Sequence, residues 1–327
     1  MSKRRCTTVQ ELYIYPIKSC GEIQLPNARV TPLGFEHDRI MQVVSKVEQK
    51  DSPLQPDYTY CTPREKRYEK LFHVMPSFDG DTTLKLTSKH VREDFSFKLD
   101  KNLSMFGSMI TMPTYCETMG GSQANLENCG TDVARWLQES TGIQGCQLVG
   151  ITKNFTRYVK VNPNQGDEIP PGLCPSVSLA DEAPFLLTNR SSLDDLNKRL
   201  LGSGKQEVDM RRFRPNIVID NLQPWEEDCL KRIRIGSVEF HVWQRCGRCA
   251  MTTIDRDSLE RCGEPLSTMN SFRERENGQR NFGMHLIPAR PWELGEQDRI
   301  SVGDEVEVLE YDEQRKAEWM RLFGKNM

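Results

Sequence analysis

The sequence predicts an α+β fold built on barrel-like sheets with a few helices. Three observations lead there. Short β-branched and aromatic runs recur along the whole chain, helical spacing is confined to a few places, and neither strand–GxGxxG–helix nor GxxxxGK[ST] occurs. Many strands without strand–helix alternation do not make a doubly wound parallel sheet. The missing glycine loops exclude nucleotide-phosphate cradles of those two kinds. At roughly 100–200 residues per domain, the 327 residues suggest two domains.

Leu12-Tyr-Ile-Tyr-Pro-Ile17 reads as a strand stopped near Pro16, because proline cannot donate to a ladder. Arg39–Val44 is a second strand, and Thr83–Thr87 and Phe95–Leu99 alternate apolar and polar residues as half-buried strands do. Residues 51–67 are polar, with three prolines, and predict a loop. Val133–Ser140 reads as a helix capped by Thr131 or Asp132. Residues 154–176, with four prolines and two glycines, read as a connector or rim loop. A second helix, with Leu193, Leu196 and Leu200 on one face and Ser191 or Ser192 as cap, spans residues 191–201. Ile217–Ile219, Ile233–Ile235, Val238–Val242 and Val306–Leu309 are strand-like, with Gly236-Ser237 as a hairpin turn between two of them. The tail from Asp312 places Trp319, Leu322 and Phe323 at helical spacing, and predicts a helix on the surface.

Composition narrows the function. Hydrophobic residues make up 37% and charged residues 28%, which excludes wholesale disorder. Lys plus Arg number 44 against 47 for Asp plus Glu, so the basic excess of a nucleic-acid binder is missing. No run of about 18 apolar residues offers a membrane span. The start, Met1-Ser-Lys-Arg-Arg-Cys6, is basic but lacks the apolar stretch of a secretory signal. The expectation is a cytoplasmic protein, with no clear signal for mitochondrial association. Eleven cysteines at scattered spacings are unlike a disulfide scaffold.

The most informative stretch is Gln244-Arg-Cys-Gly-Arg-Cys249. Its C-x-x-C admits half a zinc site, a redox pair, a single thiolate ligand, or two buried structural cysteines. Zinc wants four ligands, yet there is no second C-x-x-C and no H-x₃₋₅-H. A redox pair wants the thiols opening a helix, and the β-branched Thr252, Thr253 and Ile254 argue against one. Arg245 and Arg248 flank the pair, and nearby cations favour the thiolate, the soft donor that a redox metal can take from protein. Three other constellations could join it around an anion: Lys18 with Ser19 after Pro16, His37-Asp38-Arg39, and Arg211-Arg-Phe-Arg214-Pro-Asn216. Each taken alone is more often a solvated face.

At these residues the chain resembles the MOSC-domain proteins of the amidoxime-reducing type. Tyr15-Pro-Ile-Lys-Ser19 looks like the opening of their amino-terminal β-barrel domain. Arg212-Phe-Arg-Pro-Asn216, Arg245-Cys-Gly-Arg-Cys249 and Thr252-Thr253-Ile-Asp255 look like the MOSC domain proper. The resemblance implies an amino-terminal barrel over 8–150, a mixed-barrel MOSC domain over 176–311, and a terminal helix or tail over 312–327.

It also implies a molybdenum–molybdopterin cofactor with Cys249 as metal ligand and catalytic residue. Lys18, Ser19, Arg39, Arg214, Asn216, Gly247, Arg248 and His285 would be cofactor-binding, with Thr62 and Arg64 at the pocket border. Asp181 would stand near the pterin as a catalytic residue and candidate proton donor. Gly247 stands where relatives often carry serine, and His285 where they often carry an aromatic residue. The implied reaction is two-electron reduction of small N-hydroxylated substrates such as amidoximes and hydroxylamines. Electrons would come from a cytochrome b5-type donor with its NADH-dependent reductase. The alternative is a molybdenum cofactor carrier or maturation module, like the end of molybdenum cofactor sulfurase. Pyridoxal phosphate belongs there to a separate domain ahead of the MOSC region, and enters only at family level.

Overall fold

The computed structural model describes residues 6–47, 57–80, 82–99, 109–113, 123–159, 169–273 and 278–324. The basic start at 1–5, residues 51–56 of the expected loop and residues 160–168 of the expected rim segment lie outside the described residues.

The largest sheet has eight strands. In spatial order they are Val306–Tyr311, Leu230–Ile235, Val238–Gly247, Asn281–Pro288, Phe185–Asn189, Ile217–Asp220, Thr8–Ile14 and Ile23–Leu25. All neighbours pair antiparallel except Phe185–Asn189 with Ile217–Asp220, which pair parallel. A parallel pair needs a crossover, and the helix at Arg190–Gly202 supplies it. The chain's first strand therefore belongs to the sheet of its second half, with Leu12 opposite Ile217.

A second sheet runs Met109–Pro113, Gln123–Asn128, Gln147–Gly150, Met41–Lys46 and Ile17–Lys18, with Tyr58–Tyr60 also on Met41–Lys46. Pro16 divides the first predicted strand as expected, but the chain does not stop there. It crosses from one sheet to the other, so Tyr15 and Lys18 straddle the seam. Thr83–Thr87 lies between Met75–Asp79 and Phe95–Lys98 in a three-stranded sheet. Asn27–Thr31 pairs with Arg299–Ser301 and Gly34–Phe35, which again ties front to rear.

Helix α1 spans Thr131–Thr141 and buries Val133, Trp136 and Leu137. Its N-cap is Gly130 at φ 107, not Thr131 or Asp132. A left-handed entry of that kind suits glycine and leaves both polar residues inside the first turn. Helix α2, Arg190–Gly202, buries Leu193, Leu196 and Leu200 as their spacing predicts. Its cap is Asn189, whose side chain accepts from the Ser191 amide at 3.2 Å. Ser192 is inside the helix instead, donating to Glu227 at 2.7 Å.

Helix α3 is Leu266–Arg273 and α4 is Glu313–Phe323, capped by Asp312. The expected surface helix at the tail is docked: Trp319 is buried among the core residues around Trp225, and its Nε1 donates to Pro224 O at 3.0 Å. No helix among the described residues is long and apolar enough to cross a membrane.

Candidate functional site

The cleft forms where the two large sheets meet, with about 1010 Å³ of empty space counted to its open mouth. Its walls bring together every residue that the resemblance implied: Lys18, Ser19, Arg39, Asp181, Arg214, Asn216, Gly247, Arg248, Cys249 and His285, with Thr62 and Arg64 at the border. His37 faces a different cavity and packs against Phe78, so it does not join them.

The anchor of the cationic wall is Tyr15, buried at the seam. The guanidinium carbons of Arg39 and Arg214 lie 4.3 and 4.1 Å from its ring centroid. Two cations over one aromatic ring gain attraction from its π-face while their planar heads stay aligned. Arg39 is further held by Asp38 at 2.6 Å, by Asn216 Oδ1 at 3.2 Å and by the Arg214 carbonyl at 3.1 Å. Asn216, itself buried, also accepts from the Leu186 amide at 3.1 Å.

Ser19, Arg39 and Arg214 all adopt positive φ, at 71°, 49° and 53°. Such a backbone costs energy for a residue other than glycine, and clustering of the cost at one cleft is a mark of function. Burial, then the charges of Arg256 and Arg39, pushes the Arg214 guanidinium down to about 10. The wall holds more positive charge than the protein itself neutralises there, which suits an anion.

Asp181, expected near the pterin as a candidate proton donor, lies between two cations. Lys18 Nζ is 2.6 Å from its carboxylate and Arg64 is 3.7 Å away. Burial opposes the charge, but Lys18 and then Arg64 outweigh it and hold the carboxyl well below the usual range. A carboxylate so held is ionised near neutral pH, and it orients Lys18 and Arg64.

The two cysteines end up in different surroundings. Strand Val238–Gly247 carries Cys246, and Cys249 follows at the start of a single 3₁₀ turn, Ala250–Thr253. That short turn replaces the helix a redox pair would open. Cys249 is half-buried, a free thiol on the cleft wall. Cys246 is buried, and Arg248 Nη1 lies 2.8 Å from its sulfur. His285, opposite Gln244 on the neighbouring strand, sits against it.

Among the described residues no group of three or more His, Cys, Asp or Glu could hold a metal ion. A metal at Cys249 would need a cofactor to bring its other ligands. Tyr60, Glu182, Arg212 and Met251 also line the cleft and were not singled out in the sequence. Arg212 could have been, since it stands inside the quoted motif. Glu182 is in sequence only one more acid beside Asp181.

Comparison with known proteins agrees with this geometry. The MOSC N-terminal beta barrel domain profile matches residues 6–144 and the MOSC domain profile residues 175–307. Molybdenum cofactor sulfurase of Danio rerio is 29% identical over 85% of this chain and 32% of its own length. That of Homo sapiens is 29% identical over 91% of this chain and also 32% of its own length. Mitochondrial amidoxime-reducing component 1 of Mus musculus is 28% identical over 92% of this chain and 82% of its own length. The chain thus spans about a third of the sulfurases and about four fifths of the amidoxime-reducing component. Two adjoining profiles cover both walls of the cleft, and the chain belongs to the MOSC-domain proteins, among those with a MOSC N-terminal beta barrel domain ahead of the MOSC domain.

Proposed function

We propose that the protein is a molybdenum cofactor-dependent reductase of N-hydroxylated compounds. The observation that carries this reading is Cys249, a free, half-buried thiol at the edge of a cationic cleft. The residues present fit the group. Arg212 Nη1 and Arg248 Nε are buried donors on the cleft with no hydrogen-bond partner, as a bound anion requires. Among the described residues the donor set offers one accessible cysteine sulfur and little else, which matches a metal whose remaining ligands come from a pterin.

Bound cofactor would supply the two-electron removal of oxygen from an N–OH group, which with two protons gives the N–H compound and water. The chain supplies the rest. Cys249 would hold the metal; Lys18, Arg39, Arg214 and Arg248 would bind the phosphate and pterin oxygens; Ser19 and Asn216 would fix their register. Asp181 keeps Lys18 and Arg64 in place. Electrons would come from a separate cytochrome b5-type protein with its NADH-dependent reductase. The 82% coverage of the amidoxime-reducing component supports a reductase.

The second reading, a cofactor carrier or maturation module, is supported by the sulfurases, which match at similar identity. The test is turnover of benzamidoxime with a reduced dye by protein made in a host that synthesises the pterin. Formation of benzamidine is expected. Stoichiometric molybdenum without turnover would overturn the reductase in favour of the carrier.

A further inference from the structure

The stretch of cleft wall that carries Asp181 and Glu182 belongs to no helix or strand. Residues 179–182 are a run of bends ahead of the strand Phe185–Asn189. Both acids nevertheless meet fixed partners. Asp181 lies 2.6 Å from Lys18 Nζ. Glu182 Oε2 is 3.2 Å from His285 Nε2 and accepts from Gln244 Nε2 at 2.9 Å. Backbone outside a ladder still needs partners for its carbonyls, and whatever supplies them also fixes the side chains it carries.

Arg157 supplies them. It stands in the stretch read from the sequence as a connector or rim loop, yet it is only 4% exposed. Its Nη1 donates to the Ser178 carbonyl at 2.7 Å and also to the Ala180 carbonyl, while Nη2 donates to the Asp181 carbonyl at 2.7 Å. Three carbonyls within four residues thus converge on one planar fork, a geometry that an ammonium does not reproduce. The fork is itself anchored. The Arg157 carbonyl accepts from the Val177 amide at 2.9 Å, and the Val159 amide donates to the Pro175 carbonyl at 2.8 Å. On its far side the held segment joins the cationic wall, where the Leu179 amide donates to the Arg39 carbonyl at 2.9 Å.

We infer that Arg157 is a positioning residue for the anion site of the cleft. By fixing the backbone at 178–181 it holds the Asp181 carboxylate against Lys18, so that an incoming phosphate competes with that carboxylate for the ammonium. Arg157 is not among the residues that line the cleft, and it acts through Asp181. The inference rests on the anion-binding role given to the cleft above and deepens it. The connector, and not the cleft alone, sets how tightly the phosphate is held.

The test titrates inorganic phosphate into the full chain by calorimetry at low salt. Wild type, Arg157→Lys, Asp181→Asn and the double variant are compared. Arg157→Lys keeps the charge and loses the fork. It is expected to bind phosphate roughly threefold more tightly than wild type, the size of one partly exposed ion pair. Asp181→Asn should add nothing further in that background. A residue that only held the fold would weaken binding when replaced.

A second variant, Arg157→Gln, is read by reductive methylation and peptide mass mapping. Lys18 should methylate faster than in wild type and approach its rate in Asp181→Asn, while the exposed Lys231 keeps its own rate. Weakened or unchanged phosphate binding in folded Arg157→Lys, the full Asp181→Asn gain persisting beside it, or unchanged Lys18 labelling in folded Arg157→Gln would overturn the assignment. So would loss of the fold in both variants, which would make Arg157 a structural residue alone. Neither readout uses molybdenum or turnover, so this assignment and the reductase reading fail separately.

Discussion

The Lys18 ammonium and the Asp181 carboxylate lie 2.6 Å apart on the wall of the cleft, closing across the seam between the two large sheets. Asp181 thereby neutralises part of the charge that would meet an anion. Replacing it by asparagine is expected to strengthen binding of inorganic phosphate roughly threefold at low salt, and less at high salt as screening sets in. Titration calorimetry reads the change. The same variant should keep the pH profile of amidoxime turnover, since Asp181 is ionised throughout the working range.

Loss of the thiol at 249 should be selective. Cys249 is a half-buried free thiol on the cleft wall, so Cys249→Ser leaves the fold intact by circular dichroism. Retained molybdenum, measured by elemental analysis after desalting, should fall by about tenfold or more, because even groups that only support a ligand are worth that much.

Asn216 carries structure and site together. Its side chain accepts from Arg39 and from the Leu186 amide, and donates to the Tyr13 carbonyl at 3.2 Å. Asn216→Ala strands buried groups on three segments, which should cost about 2–4 kcal/mol in urea unfolding.

Glu227 gives a pH dependence remote from the cleft. It is fully buried and accepts from Ser192 at 2.7 Å and Asn189 at 3.1 Å. Burial first, then the charge of Asp228, pushes its carboxyl above the usual range. The folded chain thus keeps a proton that the unfolded chain releases above about pH 4.3. Rising pH favours the unfolded chain until Glu227 itself ionises, after which the cost is constant. The contribution is present at acid pH and lost across that window. Glu227→Gln should flatten this part of a stability profile measured by urea titrations at several pH values.

Helix α4 is expected to hold the molecule together through one ring. Trp319→Ala should destabilise by about 3–5 kcal/mol, read as a lower urea midpoint.

The sequence shows its local patterns well and its long-range pairings poorly. Alternation in Thr83–Thr87 and the leucine stripe of α2 fix each element because a neighbour one or two turns away decides them. Asn281–Pro288 is buried along its whole length, so it shows no alternation to read. The caps of α1 and α2 were misplaced because Thr131, Asp132, Ser191 and Ser192 compete with Gly130 and Asn189 within a residue or two, and tertiary partners decide. The site motifs were legible as clusters of cations and thiols. The pairing of Glu182 with His285 was not, since it joins residues about a hundred positions apart through strands whose register no short stretch reveals.

The pairing of Thr8–Ile14 with Ile217–Asp220 bears on how the polypeptide is made. On the ribosome, the earliest strand waits with its apolar edge unmatched while some two hundred residues emerge. Neither half, expressed as a fragment, contains a whole binding cavity. Mixing the two fragments, cut between residues 160 and 168, should restore one only if both were present while the eight-stranded sheet assembled.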